Sequence, residues 1–491
     1  RDVYGVYPIR GKMMNLQKVD RAARTKNKEV VDLQKALGMR QDMVFPRDLS
    51  QLRYRHLDIM ADQDPDGDHI RGLVVNAINV LHPTLARETD FLRTIITPVV
   101  RATRTGAQTR SFYDLDSAKA WQDGMAASER ARWKVKYYKG LGTSTNSEAK
   151  EYFSNMGQLC KTFVFDPEAT RAMTCAFGKD PDPRKAWITA ADGEAFDFTK
   201  TEIDLSGFVD TSVRSFFRDC LERKIPELID GLSPTRRKII WAAMQAGLDE
   251  EKSAEAKVME VVGDCMKLAY HHGDASLSGS IINMAQSFRW NLPLLEPLGQ
   301  YGSRYTGGDA AAPRYLFTKL KPVVKTLFPK ALRDVVPRRV DGSQVIEPEF
   351  LVPTVPLVLI NGSAGAIAAG YSSDILPHDV SAVIAALRER LKAPAPVGSK
   401  RPHQEGLAED GAKRAKLEPS WRGFKGLVQV DAKVTATGVV KLLRDGRAHV
   451  TELPPGVWTA DFTEGLLKQT DKTPAVASDV ATGANADVNE V

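Results

Sequence analysis

The feature that most constrains the fold is an acidic cluster placed between a short apolar run and an apolar helical pattern. Residues 57–61 are typical of a buried strand, and they lead directly into the run DQDPDGDH at residues 62–69. Residues 70–85 follow with apolar side chains at helical spacing. A strand that feeds a helix in this way predicts an α/β layer with a largely parallel sheet.

Three aspartates of this run, Asp62, Asp64 and Asp66, alternate along the chain. In an extended segment alternate side chains face the same side, so the three carboxylates are predicted to converge on one cation. Hard oxygen ligands favour Mg²⁺ or Ca²⁺ over a transition metal. A calcium EF-hand is excluded, because the loop position that needs a glutamate is Leu73 and because a strand precedes the loop. An acidic turn that binds no metal stays open as the alternative.

The composition is that of an ordinary globular protein rather than of a fibre, a coiled-coil rod or a disordered chain. The 491 residues are 43% hydrophobic and 26% charged, and this length predicts roughly three domains. No apolar run approaches the ~18 residues of a membrane helix, so no membrane association is expected. The four cysteines are scattered without CxxC spacing, which favours a reducing compartment over a disulfide scaffold or zinc ribbon. The net charge of +6 is small, so a nucleic-acid surface requires local clustering of basic residues.

Composition and turn signals divide the chain into segments. In order, they are an α/β domain at residues 1–155, a turn-rich connector at 156–204, a helical region ending in a glycine-rich loop at 205–340, a β-rich region at 341–470 and an acidic, disordered tail at 471–491. Within the β-rich region, residues 357–360 and 426–430 are β-type runs and residues 380–391 have a helical pattern. Residues 393–420 are interpreted as an exposed insertion.

The acidic run belongs to a series of motifs that resemble, in the same order, those of type IIA DNA topoisomerases. With its flanks, IMADQDPDG followed by HIRG, the run resembles the metal motif of the Toprim domain in that family. The other motifs are YGVYPIRGK (residues 4–12), YYKGLGTS (137–144), YHHG (270–273), GQYG (299–302), APRY (312–315), NG (361–362) and ELP (452–454). The insertion and the acidic tail lie outside the match.

This resemblance implies a multidomain α/β and α+β fold. Its parts are the C-terminal part of a Toprim domain at residues 1–155, a winged-helix DNA-binding domain with a catalytic tyrosine at 205–340, and a tower-like α+β domain at 341–470. The Glu-Gly-Asp-Ser motif, which supplies another metal-binding carboxylate in the family, is absent from this sequence, so an incomplete metal site is expected. The first residue is Arg1 rather than Met, and the chain is expected to be a fragment of a longer polypeptide.

The resemblance also implies a catalytic group centred on Tyr315, which would attack a DNA phosphodiester and hold the 5′ end as a phosphotyrosyl ester. A free tyrosine has a pKa of about 10, so attack at neutral pH needs positive charge nearby. Arg314 would supply that charge to the phosphoryl oxygens. His272 would orient the scissile phosphate or relay a proton. Mg²⁺ held by the three alternating aspartates would assist the 3′ leaving oxygen.

Basic and apolar residues in the motifs are interpreted as DNA contacts. The run PTRRK at residues 234–238 opens a helix where the family grips bent duplex, and a solvated helix face is the alternative. Ser233 stands where the eukaryotic pattern usually has lysine. Ile367 resembles the isoleucine that wedges between base pairs, with simple packing as the alternative. The predicted contacts are Arg10, Lys12, Lys139, Arg236, Arg237, Lys238 and Ile367.

For the whole protein, the resemblance implies ATP-driven passage of double-stranded DNA by a homodimer, with ATP bound by a domain absent from this chain. Toprim and tyrosine motifs on one polypeptide point to a eukaryotic or large-virus enzyme. Basic residues at 400–401 and 413–416 are spaced like a bipartite nuclear-import signal, so a nuclear location is expected, with a viral replication site in the cytoplasm as the alternative. A competing class is a catalytically silent DNA-binding module, which the missing glutamate would allow.

Overall fold

The structure is a computed structural model, and it describes residues 4–40, 43, 45, 49–88, 90–138, 140–191, 200–250, 254–270, 273–341, 344–392, 417–431 and 433–472. The chain divides into two compact units. The first is Arg1–Leu221 with Ala368–Tyr371, and the second is Glu222–Ile367 with Ser372–Val491. Within the described segments every helix is too short or too polar to span a bilayer. The four cysteines are free thiols.

Strands and helices alternate along the first 224 residues. The strands are β1 (Leu57–Met60), β2 (Leu92–Ile95), β3 (Val100–Thr103), β4 (Arg110–Phe112), β5 (Lys134–Tyr137), β6 (Cys160–Val164) and β7 (Glu202–Asp204). The helices are α1 (Arg21–Lys26), α2 (Lys28–Leu37), α3 (Pro65–Leu81), α4 (Pro83–Ala86), α5 (Leu115–Asp123), α6 (Ala127–Arg130), α7 (Asn146–Ser154), α8 (Met156–Leu159), α9 (Ala169–Phe177), α10 (Asp182–Thr189), α11 (Leu205–Phe208) and α12 (Arg214–Lys224), with a 3₁₀ turn at Leu141–Thr143 and a π-helical turn at Val209–Val213.

The first unit is the predicted α/β layer, but its main sheet is mixed rather than largely parallel. The strand order is β1-β2-β6-β7, with β1/β2 and β6/β7 parallel and β2/β6 antiparallel. Between β2 and β6 the chain builds a separate antiparallel sheet of order β4-β3-β5, and it returns as β6 in the opposite direction. The predicted strand at residues 57–61 is confirmed as β1, and the helical pattern after it as α3.

The interpretation of residues 156–204 as a connector does not agree with the structure. These residues supply β6 and β7, half of the main sheet, together with α9. Phe163, Met173 and Phe177 from this segment are almost fully buried in the core of the first unit. The turn-rich stretch at residues 178–183 is only the short link between α9 and α10.

Most of the second unit consists of short helices and two-stranded sheets. The strands are β8 (Ala256–Lys257), β9 (Phe317–Thr318), β10 (Arg338–Asp341), β11 (Gln344–Pro348), β12 (Ser363–Ala368), β13 (Tyr371–Ile375), β14 (Leu427–Val430), β15 (Val434–Thr437), β16 (Val439–Leu442) and β17 (Ala448–Glu452), which pair consecutively. The helices are α13 (Pro234–Gln245), α14 (Val258–Lys267), α15 (Asp274–Ala285), α16 (Val323–Leu327), α17 (Lys330–Arg333), α18 (Leu357–Asn361), α19 (Val380–Lys392) and α20 (Thr459–Lys472), with a 3₁₀ turn at Pro313–Tyr315.

Two of the three element predictions for the β-rich region are confirmed. Residues 426–430 contain β14, and residues 380–391 lie in α19. Residues 357–360, predicted as a β-type run, instead form α18 directly after Pro356. A short, fully buried apolar run has no periodicity that separates a strand from a helix, and here the preceding proline starts a helix.

Both segments interpreted as unpacked lie mostly outside the described residues, namely 393–416 of the insertion and 473–491 of the tail. The described end of the insertion is bonded to the second unit, because the Ser420 N–H donates to the Pro377 carbonyl at 2.8 Å. The first two residues of the predicted tail, 471 and 472, continue helix α20.

A buried carboxylate organises the core of the second unit, where α13, α14 and α15 pack together. Asp230 is fully buried, and its carboxylate accepts hydrogen bonds from Arg237 Nε at 2.6 Å and Nη2 at 3.2 Å. It also accepts from the backbone N–H groups of Leu232 and Leu351, both at 2.9 Å. Every oxygen of this charge is therefore satisfied, and the loop before α13 is tied to the chain ahead of α18.

We expect Asp230→Ala to lower the free energy of unfolding of the second unit by about 3–5 kcal/mol, because it leaves the Arg237 guanidinium buried without a counter-charge. The matched control is Asp264→Ala, which removes an exposed partner of Lys267 and should cost about 1 kcal/mol or less. Amide hydrogen exchange in α13 measures both values. Equal losses in the two variants would contradict the assigned role of Asp230.

Candidate active site

The acidic run forms the turn between β1 and α3 and the first turn of the helix itself. Asp64 caps α3 by accepting a hydrogen bond from the Gly67 N–H at 2.7 Å, and Asp66 lies inside the helix. A Cβ at Gly67 would lie 1.9 Å from the carbonyl oxygen of Asp62, so only glycine fits there. The segment is therefore not extended, and the alternation of Asp62, Asp64 and Asp66 does not align their carboxylates as predicted.

The acidic turn is held by Arg71, which is buried in α3 with a side chain 1% exposed. Its guanidinium donates to the Ala61 carbonyl at 2.8 Å and to Gln63 Oε1 at 3.0 Å. It also donates to Thr94 Oγ1 on β2 at 3.1 Å and to Asp68 Oδ1 at 2.6 Å. Because these donors form a rigid planar fork, they fix the turn against the sheet. Asp68, although part of the acidic run, serves as the counter-charge of Arg71.

Asp66 faces Lys12 from the first motif. Lys12 Nζ lies 2.5 Å from Asp66 Oδ1 and 4.1 Å from the centroid of the Phe216 ring. The sequence predicts Asp66 as a metal ligand and Lys12 as a DNA contact, but here each neutralises the other. In the part of the chain that the structure describes, no three Asp, Glu, His or Cys side chains are arranged to hold a metal ion.

The carboxylates present therefore fit Mg²⁺ by chemistry, since they are hard oxygen donors, but not as a preformed set of three. Asp62 and Asp64 flank the end of β1, where Asp64 is exposed. Asp66 can join them only after its ion pair with Lys12 opens.

The motif YYKGLGTS packs its backbone against Asp62. A Cβ at Gly140 would lie 2.8 Å from Asp62 Oδ2, and the φ of Gly140 is +107°. Both the close approach and the positive φ require glycine at this position. Lys139, a predicted DNA contact in the same motif, lies outside the described residues.

Glu148, which the sequence analysis did not single out, holds this motif in place. Its carboxylate accepts hydrogen bonds from the Tyr138 hydroxyl at 2.5 Å, from Lys136 Nζ at 2.8 Å and from the Thr145 N–H at 2.7 Å. Partial burial opposes ionisation, but these hydrogen bonds hold the pKa of Glu148 at about 2. The signal that could have revealed it is the T-x-x-E spacing of a capping box, which Thr145 and Glu148 form at α7.

His69 ends the acidic run as a largely buried aromatic side chain. Its ring stacks on Phe216 with centroids 3.9 Å apart and 8° between the planes. Its Nδ1 has no hydrogen-bond partner among the described residues. Burial, with a smaller effect from the charge of Lys12, lowers the pKa of His69 from 6.5 to about 3, so the imidazole is neutral at neutral pH.

In the second unit, Tyr315 ends the 3₁₀ turn, and its side chain is 69% exposed. A hydrogen bond of 2.9 Å from its N–H to the Ala312 carbonyl closes the turn. The next residue, Leu316, is fully buried, so the chain enters the core directly after the tyrosine. The exposed Arg314 guanidinium lies 5.6 Å from the centroid of the Tyr315 ring. His272 lies outside the described residues.

Two of the three basic residues at the start of α13 point into the core. Arg237 pairs with Asp230 at 2.6 Å, Lys238 pairs with Glu347, and both basic side chains are less than a tenth exposed. A cation that is neutralised in the interior cannot contact a phosphate, so in this structure Arg237 and Lys238 are core residues and not DNA contacts. Almost the whole of α13 is buried, which the basic run in its first turn conceals.

The third basic residue, Arg236, lines a groove of about 400 Å³ together with Ile367. Ile367 lies on β12 with its side chain 67% exposed, which does not fit the alternative of simple packing. Ser233 also lines the groove, as the N-cap residue of α13. The remaining polar lining residues are Arg223, Lys224, Thr235, Ser280 and Ser363. The groove thus combines cations, hydroxyl groups and one projecting apolar side chain. Arg10, in the first unit, is also exposed.

Two family models match the chain, and they divide it where the two compact units meet along the sequence. The model described as the C-terminal associated domain of TOPRIM matches residues 95–219. The model described as DNA gyrase/topoisomerase IV, which represents the A-type polypeptide of those enzymes, matches residues 223–488, more than half of the chain. The acidic α/β unit and the unit with the Arg-Tyr turn are thus both of topoisomerase type. The chain belongs to the type IIA DNA topoisomerase family.

Relatives from distant organisms match nearly the whole chain. DNA topoisomerase 2 of Arabidopsis thaliana is 37% identical over 94% of this chain and 31% of its own length. The mitochondrial DNA topoisomerase 2 of Dictyostelium discoideum is 37% identical over 96% and 36%, and DNA topoisomerase 2-alpha of Sus scrofa is 35% identical over 98% and 31%. The chain therefore spans about a third of the length of these relatives.

A solved structure is similar to the chain as well. It is the DNA-binding, cleavage and re-ligation domain of Plasmodium falciparum topoisomerase II, with a TM-score of 0.76 and 32% identity. The match covers 96% of this chain and 62% of that one.

We expect the first unit to lose stability as the pH falls below 6.5, because His69 takes up a proton in the unfolded chain but in the folded chain only near pH 3. This group alone contributes a slope of up to about 1.4 kcal/mol per pH unit. His69→Phe keeps an aromatic ring in the stack and removes the titrating group, so its slope should be shallower by that amount. Amide hydrogen exchange in α3 at several pH values measures both slopes, and identical slopes would contradict the assignment.

Proposed function

We propose that this chain carries the DNA cleavage and religation chemistry of a type IIA topoisomerase, with Tyr315 as the nucleophile. The observation that carries the proposal is the Arg314–Tyr315 turn. It presents a phenol that is 69% exposed, beside an exposed guanidinium, on a backbone anchored by the buried Leu316. An accessible nucleophile next to a cation suits attack on a large anionic substrate such as a DNA backbone.

In the proposed reaction, the Tyr315 oxygen attacks the phosphorus of a DNA phosphodiester. The Tyr–O–P bond forms as the P–O3′ bond breaks, and the proton lost by the phenol is balanced by the proton gained by the 3′ hydroxyl. Arg314 stabilises the negative charge that builds on the phosphoryl oxygens. Because one phosphodiester replaces another, the 3′ hydroxyl can attack in reverse and restore the DNA without an energy source.

Asp62 and Asp64 are the residues that would hold Mg²⁺, and Asp66 would join them when Lys12 is drawn away. The ion, when bound, would neutralise charge on the 3′ leaving oxygen. The chain itself keeps this position clear, since Gly140 brings only backbone against the Asp62 carboxylate. Glu148 holds the loop that carries Gly140, so it supports Asp62 indirectly.

The groove lined by Arg236 and Ile367 is the proposed contact with double-stranded DNA in the second unit. Arg236 and the neighbouring hydroxyl groups suit phosphate contacts, which position a protein on a duplex. Ile367 projects from β12 as an apolar side chain that could enter a base step and kink the duplex. Arg10 is the corresponding candidate in the first unit.

Properties of the whole protein rest on the family alone, because the chain spans about a third of the relatives' length. ATP-driven strand passage and a homodimer remain predictions of the sequence. A nuclear location also remains a prediction, and the proposed import signal lies outside the described residues. The Dictyostelium relative is named as mitochondrial, so family membership does not decide the compartment.

A second candidate function is a DNA-binding module that does not cleave. One observation favours it: Asp66 is paired with Lys12, and the described segments contain no cluster of three metal-binding side chains. Incubation of the full-length protein with supercoiled plasmid and Mg²⁺ separates the two candidates. Linear DNA with protein covalently attached supports cleavage, whereas binding without linear product supports the second candidate.

We expect Tyr315→Phe to abolish covalent attachment to DNA while changing DNA affinity less than about twofold. The phenolic oxygen forms the bond, but affinity comes from phosphate contacts elsewhere. Capture of end-labelled DNA under denaturing conditions measures attachment, and a binding titration measures affinity. The control is Tyr305→Phe, another exposed tyrosine of the same loop, which should be captured like the wild type. Persistent capture by the Tyr315 variant would remove this residue from the nucleophile role.

We expect Asp62→Asn and Asp64→Asn to raise the Mg²⁺ concentration for half-maximal cleavage by about tenfold or more, because each removes a charged ligand from a shared site. Asparagine is chosen since it still caps α3 at position 64. The control is Asp20→Asn, which changes the exposed N-cap residue of α1 in the same way. Unchanged Mg²⁺ titrations for both site variants would exclude these residues as ligands.

A further inference from the structure

The loop that precedes Tyr315 is bonded to a segment about 150 residues later in the chain, at the end of β17. Arg304 Nη1 donates to Glu452 Oε1 at 2.6 Å, and Arg304 Nη2 donates to the Leu453 carbonyl at 2.9 Å. The Arg304 side chain is 33% exposed and that of Glu452 only 14%. One guanidinium therefore bridges a partly desolvated carboxylate and a backbone oxygen, a geometry that lysine could not reproduce.

The same loop also caps the start of α20. The Thr459 N–H donates to the Arg304 carbonyl at 3.3 Å, and the Ala460 N–H donates to the Tyr305 carbonyl at 2.9 Å. The first N–H groups of a helix have no partner within the helix, so these loop carbonyls satisfy them. Moving the loop away from α20 would leave both donors unpaired.

Trp458 lies under the loop at its sharpest point. A Cβ at Gly307 would lie 2.5 Å from the Trp458 ring, and the φ of Gly307 is +70°, so glycine is required there. The Arg289 guanidinium lies 4.7 Å from the centroid of the same ring and donates to the Gly307 carbonyl at 2.7 Å. The indole is therefore enclosed by the loop on one side and by Arg289 on the other.

Internal hydrogen bonds make the loop a stiff unit. Asp309 accepts from the Ser303 N–H at 2.9 Å, from Ser303 Oγ at 2.6 Å and from Thr306 Oγ1 at 3.0 Å. The Gly307 N–H donates to the Ser303 carbonyl at 2.9 Å. Closer to the tyrosine, the Ala311 N–H donates to the Gln300 carbonyl at 3.0 Å. A displacement at Arg304 is therefore carried along the loop toward the turn that ends at Tyr315.

The Tyr315 phenol makes no hydrogen bond with any described residue, so its place is set by the backbone on either side. On the C-terminal side the anchor is the buried Leu316. On the N-terminal side the anchor is the stiff loop, which is held by the contacts of Arg304 with Glu452 and with the start of α20. We propose that Arg304 and Glu452 are positioning residues for Tyr315, forming a latch that ties the nucleophile loop to α20. The inference rests on the proposed role of Tyr315 as the nucleophile.

Charge reversal tests the latch in the full-length protein. Arg304→Glu and Glu452→Arg each place like charges in contact, and each should reduce covalent capture of DNA by about tenfold or more, since small misplacement of a reacting group is costly. The double variant restores opposite charges and should recover capture to within about threefold of the wild type. DNA affinity should stay within about twofold in all three. Arg447→Glu, next to Asp445 in an exposed ion pair of the same unit, is the control and should have no effect.

Amide hydrogen exchange gives a readout that does not depend on catalysis. The Gly307 and Ala311 amides should exchange faster in both single variants and return toward wild-type rates in the double variant. Amides of α14, which lie outside the latch, should keep their rates and show that the unit remains folded. If a reversal also accelerates α14, Glu452→Gln replaces it, because the amide keeps the shape of the side chain and removes only the charge.

The outcomes separate the latch from the proposed function. Capture at the wild-type level in both single variants overturns the latch, and so does lost capture with unchanged loop exchange or with no recovery in the double variant. If the wild type itself captures no DNA, the proposed function of Tyr315 fails. The exchange rates then still decide whether Arg304 and Glu452 hold the loop.

Discussion

The acidic turn of the first unit depends on the buried guanidinium of Arg71. Its donors reach the end of β1, the turn itself and β2, so one side chain fixes three pieces of chain. A buried cation is tolerable only when a counter-charge and acceptors surround it, and Asp68 together with these oxygens provides them. The direction in which Asp62 and Asp64 leave the strand therefore follows from how one arginine is satisfied in the core.

The second unit uses the same solution with the signs reversed. Asp230 is a buried anion whose oxygens are filled by Arg237 and by two backbone N–H groups, and it joins the loop before α13 to the chain near α18. In both units an ion pair serves as an internal fastener, and the chemical groups assigned to function lie on the loops that it fastens. A charged residue in a functional motif can thus act on the fold alone.

Several features of the fold were predictable because they depend on local patterns. The strand, the glycine and the helix of the acidic run follow from apolar periodicity and from the N-cap residue Asp64, and the exposed Tyr315 followed from a family motif. The failures share a cause, which is that tertiary partners are invisible in one sequence. Nothing local shows that Lys238 will meet Glu347 or that Asp66 will meet Lys12, since these partners are 109 and 54 residues away. Glu148 was overlooked although its capping-box spacing is local.

The burial of two cations in α13 bears on how DNA binding would respond to ionic strength. Each protein cation that neutralises a phosphate releases condensed counterions and makes affinity fall more steeply with salt. Arg237 and Lys238 are already neutralised by Asp230 and Glu347, so they release none. A run of three basic residues then adds at most the contribution of Arg236 to that dependence. The count of basic residues in the motif overstates its electrostatic grip on DNA about threefold.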